Sequence, residues 1–244
     1  VPGSEGNLKD TNEALKLAKK IGYPVMLKAT SGGGGRGIRR CNSEDELKRA
    51  YERVVSEATK AFGSAEVFLE KAIVNPRHIE VQILGDKHGN MIHLFERDCS
   101  IQRRHQKLIE IAPSPQLTEE QRAAVCELGV RAARCVNYEN AGTVEFLFDQ
   151  DGQFFFMEMN TRLQVEHTVT EQITGVDIVQ EQIRIAEGQP LSYTQDQIQR
   201  RGYAIQFRIN AEDPKNDFLP SYGRITRYYA PGGPGVRTDA AIYT

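Results

Sequence analysis

Residues 141–167, AGTVEFLFDQDGQFFFMEMNTRLQVEH, alternate apolar side chains with acids and amides in a way that could hold a metal ion. Asp151-Gly152 suits a type I′ turn, whose two central residues both need positive φ. A two-residue loop there sets Gln150 opposite Gln153 and brings Glu145 opposite Glu158. The same register pairs Val144 with Met159, Phe146 with Met157 and Phe148 with Phe155 on an apolar face fit to pack on a core. The other face carries Thr143 with Asn160 and Leu147 with Phe156. Two carboxylates directly across an antiparallel pair have Cβ atoms about 5 Å apart and repel unless positive charge lies between them. A divalent cation is the economical source of that charge. Oxygen ligands from Glu145, Glu158 and Asn160, few enough to leave room for water and phosphate, suit Mg²⁺ rather than an all-protein calcium cage. A solvated polar face beside a surface ion pair is the alternative.

The alternation continues beyond the hairpin. Glu158, Asn160, Arg162, Gln164 and Glu166 share parity, so an extended chain would turn an acid, an amide, a base, an amide and an acid the same way. Upstream, Lys28 sits in the short apolar stretch of residues 23–29, where a lysine needs an anion. It is followed by Thr30-Ser31-Gly32-Gly33-Gly34-Gly35-Arg36-Gly37, a run whose backbone N–H groups can turn inward around phosphate oxygens. The run lacks the ending of a P-loop and the spacing of a dinucleotide fingerprint, and a mobile linker is the competing reading. Residues 98–107, DCSIQRRHQK, gather Arg103, Arg104 and Lys107 around His105, either as a solvated loop or as a clamp on an oxyanion such as phosphate or bicarbonate. Arg208 falls among Ile205, Phe207 and Ile209, a placement that asks for an acid, as a structural salt bridge, or for a negative ligand.

Composition sets the frame. The 244 residues are 39% hydrophobic and 26% charged, with a formal net charge of −2, so there is no broad basic field for nucleic acid or an anionic membrane. Cys41, Cys99, Cys126 and Cys135 lack metal-ligand spacing and suggest reduced thiols in a cytosol-like compartment. No apolar run approaches a membrane span, and no signal peptide is expected. The abrupt opening at Val1-Pro2-Gly3-Ser4 and the strand-like close suggest a piece of something longer.

The positioning elements follow from periodicity and punctuation. Residues 10–21 form an amphipathic helix, with Asp10 and Glu13 in capping-box spacing and Gly22 as a stop. Strands follow at 23–29 and 37–41, a second helix capped by Ser43 and Glu46 runs to about residue 60, and a strand covers 66–71, giving β-α-β-β-α-β over residues 1–72. Alternation over 77–84 marks a half-buried strand, residues 91–96 its partner, and Thr118 to Gln121 cap a third helix. Helical stretches cover 168–173 and 177–187, and a strand spans 203–212. Residues 223–229 and the Pro-Gly run at 231–235 resemble the entry to a further β-rich domain.

Taken together, VMLKATSGGGGRGI, FLEKAIVNPRHIEVQILGD, ERDCSIQRRHQK, GTVEFLF, FMEMNTRLQVEH and RINAEDP resemble the biotin carboxylase component of biotin-dependent carboxylases, within the ATP-grasp superfamily. The resemblance covers nearly the whole chain, and EMNTRLQVEH with CSIQRRHQK is narrower than ATP-grasp in general. It implies an α+β ATP-grasp fold, a small lid domain plus a larger antiparallel-sheet domain with flanking helices. The lid would span 1–72, the catalytic subdomain 73–200, and 201–244 the last sheet strand and the start of a truncated C-terminal domain. An N-terminal α/β domain would be missing. Lys28 and the loop glycines, Gly33, Gly34, Gly35 and Gly37 among them, would hold ATP phosphates. Glu70, Lys71 and Ile73 would line the adenine hinge, Ile38 and Leu147 would sandwich the base, and His78, Gln102 and His105 would lie near ribose and phosphates. Glu145 and Glu158, with Asn160, match the metal site for Mg²⁺ or Mn²⁺. Lys107, Arg162, Gln164 and Val165 match positions that hold bicarbonate, Glu166 the general base, and Arg208 the residue that stabilises the enolate of biotin. Ser31 stands where some members extend the glycine run.

The implied reaction is ATP-dependent carboxylation of biotin through carboxyphosphate, by a ligase forming a C–N bond. The implied partners are a biotin carboxyl carrier protein or domain, a carboxyltransferase and a second copy in a full-length homodimer, with no nucleic acid and no membrane. The expected location is the cytoplasm, or the mitochondrial matrix in a eukaryote. No Ala-Met-Lys-Met biotinylation site occurs, so the carrier lies elsewhere, and pyruvate, an acyl-CoA and urea all stay open as final acceptors. Two rivals stand beside this: an ATP-grasp ligase joining a carboxylate to an amine, which needs neither Arg208 nor the RRHQK cluster, and a non-catalytic nucleotide-binding fragment.

Overall fold

Helix α1 (Thr11–Ile21) begins where the Asp10 side chain accepts the Glu13 amide and ends at Gly22, whose φ of 78° suits glycine. Strands β1 (Val25–Ala29) and β2 (Ile38–Cys41) follow, then helix α2 (Glu44–Phe62), capped by Ser43 on the Glu46 amide, and strand β3 (Val67–Lys71). The structure, a computed structural model, describes residues 1–31, 37–63 and 65–242. Glu13 and Glu46 do not close the capping boxes as expected: each reaches one residue further back, to the amides of Lys9 and Asn42. β1 lies at the centre of an antiparallel sheet of order β2-β1-β3. The expected first strand is reduced to one bridge between Gly3 and Glu70. Ala14 and Ala18 of α1 and Leu47, Val54 and Ala58 of α2 bury the first core against Val25, Leu27, Val67 and Leu69.

The larger sheet contains β4 (Arg77–Gly85), β5 (Met91–Arg103), β6 (Gln106–Ala112), β7 (Asn140–Phe148), β8 (Phe154–Asn160) and β9 (Ala204–Phe207) in the order β8-β7-β4-β5-β6-β9. Helix α3 (Glu119–Cys135) covers one face, and α4 (His167–Thr174) and α5 (Ile178–Ala186) complete the flanking helices. β4 is not half-buried: every residue from Ile79 to Gly85 is buried. Ile79, Val81 and Ile83 pack with Val125, Cys126 and Ala133 of α3, while Glu80 and Gln82 are fully covered on the opposite face. Alternation reports two chemically different faces, and here both are inside.

β5 runs well past its expected end and takes up most of the segment read as a loop. Its tip is a two-residue turn, Arg104-His105, with φ of 52° and 64° and Arg103 opposite Gln106. A bulge between the Val81 and Ile83 pairings places Phe95 at φ 64°. The extra residue resets parity, so Arg97 comes to lie directly across from Glu80.

The β7-β8 hairpin departs from expectation in two places that compensate. Asp149, not Gln150, faces Gln153: its N–H donates to Gln153 O across a loop of Gln150, Asp151 and Gly152, and its carboxylate takes the Asp151 and Gln153 amides. Phe148 therefore meets Phe154, Leu147 meets Phe155, and Phe146 meets Phe156. Met157 is then the extra residue of a bulge, 39% exposed rather than in the core, and beyond it the expected pairs return: Glu145 with Glu158, Val144 with Met159, Thr143 with Asn160. The Asp149 side chain wins the turn because it offers the backbone two acceptor bonds that a two-residue loop has no use for.

The chain divides into two compact units, Val1–Gln206 and Phe207–Thr244. The strand expected over 203–212 stops at Phe207, and Ile205, Phe207 and Ile209 are 57%, 60% and 91% exposed. Arg208 is thus outside the strand and in the second unit. That unit holds a two-stranded ladder of β10 (Glu212–Asp213) and β11 (Leu219–Pro220), closed by Phe218 N on Asp213 O; residues 223–229 form no strand. The four cysteines are free, with Cys41, Cys99 and Cys126 buried. No described helix is long and apolar enough to cross a membrane.

Helix α3 comes close to β4 at Gly129, where a Cβ would lie 2.9 Å from Val81 Cβ. Alanine in a helix interior normally gains up to about 1 kcal/mol over glycine, but overpacking costs about 1–3 kcal/mol. Gly129→Ala is therefore expected to lower the urea midpoint rather than raise it.

Candidate active site

One row of charge crosses four strands of the larger sheet. Arg97 on β5 faces Glu80 on β4, Glu80 faces Glu145 on β7, and Glu145 faces Glu158 on β8. Adjacent like charges need a counter-charge, and Lys107 of β6 supplies it. Its Nζ donates to Glu80, to Glu145 Oε1 at 2.8 Å and to Glu166 Oε1 at 2.7 Å. His78 Nε2 lies 3.1 Å from Glu145 and 3.6 Å from Glu80. Glu145 Oε1 also accepts Asn160 Nδ2 at 2.9 Å and Gln164 Nε2 at 3.0 Å. The turn after β8 makes this convergence possible: Gln164 and Glu166 are buried, the latter at the N-cap position of α4, while Val165 between them is 59% exposed.

The electrostatics of the cluster are mutual. Burial alone would lower the His78 pKa, but the Glu145 and Glu80 carboxylates reverse this and hold it up at about 9, against an ordinary 6.5. Burial opposes ionisation of Glu80 too, yet Arg97, His78 and Lys107 hold it well below the usual carboxylate range. Glu145 is lowered despite its burial, through His78 and Lys107. Burial alone would lower the Lys107 pKa, but the neighbouring negative groups, Glu80 foremost with Glu166 and Glu145 adding to it, together hold it up. At neutral pH the Glu80 and Glu145 carboxylates are met by three cations, Arg97, Lys107 and His78.

The other expected site residues are distributed as follows. Lys28 pairs with Glu70 on the adjacent strand and lies 5.9 Å from the Phe68 ring centroid, so the anion its placement demanded is a neighbouring side chain. Lys71 directs its Nζ to the carbonyls of Gly22 and Tyr23, at 3.0 and 3.1 Å. Ile38 faces Lys28 across the β1-β2 ladder, and Gly37, at φ 74°, accepts the Ala29 amide. Gly33, Gly34 and Gly35 lie outside the described residues, with Gly32 and Arg36. Ile73 is half-buried, as is Leu147, which faces His78. Gln102 donates to Cys99 O at 2.8 Å and lies 3.2 Å from His78 Nδ1. His105 and Arg104 are exposed at the hairpin tip, and Arg162 is exposed with its guanidinium on Leu163 O. The shared parity of the row from Glu158 to Glu166 therefore brings only Asn160, Gln164 and Glu166 to the cluster, because the chain turns after Asn160; Glu158 remains exposed on the edge strand.

Glu80 and Arg97 are the residues the sequence reading passed over. The signal lies in RHIEVQIL, whose His78, Glu80 and Gln82 share parity, although that alternation by itself marks only a half-buried strand. Arg97 gave none, since its partner depends on the bulge at Phe95.

A magnesium-type ion fits the donors here. Glu145 and Glu158 stand opposite each other and offer hard oxygen ligands, few enough to leave most positions to water or phosphate, while the Asn160 amide turns its Nδ2 toward Glu145. Glu145, with one oxygen toward Lys107 and the other toward His78, is the buried anchor of that set.

Residues 1–194 match the family described as the carbamoyl-phosphate synthase L chain, ATP binding domain, and residues 206–244 match the biotin carboxylase C-terminal domain. The chain is 60% identical, over its whole length, to a biotin carboxylase from Nostoc, of which it covers 55%. This chain belongs to the biotin carboxylase family. It is also 62% identical, over 99% of its length, to the small subunit of 2-oxoglutarate carboxylase from Hydrogenobacter thermophilus, covering 51% of that subunit. A crystal structure of that enzyme's biotin carboxylase domain dimer, in complex with MgADP, ADP and bicarbonate, superposes with a TM-score of 0.87 at 63% identity, covering 96% of this chain and 51% of that one. The fold is accordingly ATP-grasp, with antiparallel sheets and flanking helices. The chain spans about half the length of these biotin carboxylase relatives.

His78 gives a pH signature. Its folded pKa lies above its unfolded value, so the stability it contributes is present in full below pH 6.5 and is lost as pH rises through about 9. Urea midpoints measured across that window should fall, and His78→Gln should remove that part of the slope.

Proposed function

We propose that the protein containing this chain carboxylates biotin with bicarbonate at the expense of ATP, and that this chain supplies the nucleotide and bicarbonate parts of the site. One observation carries the reading: Lys107 draws Glu145 and Glu166 onto a single ammonium at 2.8 and 2.7 Å, placing a metal-type carboxylate next to a buried one that can take a proton. Membership of the biotin carboxylase family supports it.

In this reading residues 1–72 act as a lid over ATP, with Lys28 and the glycine loop on the phosphates, and residues 73–200 carry the chemistry. Glu70, Lys71, Ile73, Ile38 and Leu147 enclose the base, while His78, Gln102 and His105 approach the ribose and phosphates. A magnesium or manganese ion on Glu145, Glu158 and Asn160 offsets phosphate charge when bound. Lys107, Arg162, Gln164 and the Val165 backbone hold bicarbonate, and Glu166 removes its proton so that the oxygen can attack the γ-phosphorus as the bond to the β-phosphate breaks, giving carboxyphosphate and ADP. Arg208 stabilises the biotin oxyanion during carboxylation. The biotin arrives on a carrier and leaves for a carboxyltransferase, neither of which is encoded in these residues, and the full-length protein is a homodimer, as the Hydrogenobacter thermophilus domain is.

In the full-length protein, Glu166→Gln is expected to lower biotin-stimulated, bicarbonate-dependent ATP cleavage by about 10²–10⁴-fold while leaving MgATP affinity by calorimetry unchanged. Wild-type turnover that ignores bicarbonate and biotin but responds to an amine would overturn the reading in favour of another ATP-grasp ligase.

A further inference from the structure

Arg97 is fully buried and touches no solvent, yet each of its five N–H donors has its own acceptor. Nε donates to Glu80 Oε1 at 2.6 Å. Nη1 donates to Gln82 Oε1 at 2.7 Å and Thr170 Oγ1 at 3.0 Å. Nη2 donates to Thr143 Oγ1 at 3.1 Å and Gln164 Oε1 at 3.2 Å. These acceptors come from β4, β7, α4 and the turn between β8 and α4, so one guanidinium ties four segments together beneath the Lys107 cluster.

We infer that Arg97 is a positioning residue that fixes which end of the Gln164 amide faces the Glu145–Lys107 cluster, a role resting on the proposed function of that cluster. Arginine has no acceptor, so it can receive only the carbonyl end of a primary amide. With Oε1 held on Nη2, Gln164 must turn Nε2 outward, and that nitrogen donates to Glu145 at 3.0 Å. The neighbouring glutamine shows the same logic: Gln82 gives Oε1 to Arg97 and Nε2 to Gly142 O at 3.0 Å. Glu80 anchors the device, giving Oε1 to Arg97 and leaving its second oxygen for Lys107. Lysine at this position keeps the charge but has three donors for five acceptors and no planar fork, so the amide is free to flip.

The test uses the full-length protein with steady-state ATP cleavage in the presence of free biotin. Arg97→Lys is expected to raise the KM for bicarbonate about tenfold, as loss of an outer support does, with the KM for MgATP unchanged. Gln164→Ala should behave alike, and the Arg97→Lys/Gln164→Ala double variant should be no worse than Gln164→Ala, because the positioned group is already gone. An unchanged bicarbonate KM in Arg97→Lys, or a double variant showing the product of the two single losses, overturns the inference. Should Arg97→Lys fail to fold, Arg97→Met/Glu80→Gln removes the buried charges together, and its bicarbonate KM is compared with that of Glu80→Gln: a further rise supports the role and none overturns it. Wild-type protein without bicarbonate-dependent turnover overturns the proposed function and this inference with it, whereas normal wild type beside an unaffected Arg97→Lys overturns this inference alone.

Discussion

The larger sheet depends on the sharing of one ammonium by three buried carboxylates. Glu80, Glu145 and Glu166 come from two strands and a helix start, and each accepts from Lys107. Leaving one such charge without its partner costs about 3–5 kcal/mol, so the cluster constrains everything that brings it together. The β5-β6 hairpin must be long enough to carry Lys107 inward, the bulge at Phe95 must set Arg97 across from Glu80, and α4 must begin where Glu166 is turned under. A face of the sheet that alternation marks as polar is closed off by these pairings rather than wetted.

The smaller sheet follows a simpler rule. Its helices bury an ordinary apolar face, and its one unusual residue, Lys28, is neutralised locally by Glu70 on the next strand. An ion pair between neighbouring strands keeps an ammonium on a buried strand without distant help, so the unit can hold its charge at the surface facing Phe68 whether or not an anion is present.

Local rules made much of this visible in the residues alone. Capping side chains and glycine stops placed α1, α2 and α3 within a residue or two, and alternation placed β4, β7 and β8. The pairing of Glu145 with Glu158 was legible, although the turn type behind it was not, since it depends on which acceptor the Asp149 side chain prefers. The length of β5 was hidden because a positively charged tip of non-glycine residues does not look like a tight turn. The roles of Glu80 and Arg97 lie in contacts between strands far apart in sequence, which no window along the chain can show. The strand expected around Arg208 ended early at the sheet edge, where half its ladder partners are absent.

The two departures in the β7-β8 hairpin have an evolutionary corollary. Its loop is one residue longer than a minimal turn and the outgoing strand carries one residue more than its partner, so these two residues stand in for one cross-strand pair. Removing one loop residue would leave the Asp149–Gln153 closure and every pair behind it in place, so the tip can shorten without moving Glu158 from Glu145. Length variation in this hairpin should therefore fall at the tip, with the acidic couple as the unmoved reference.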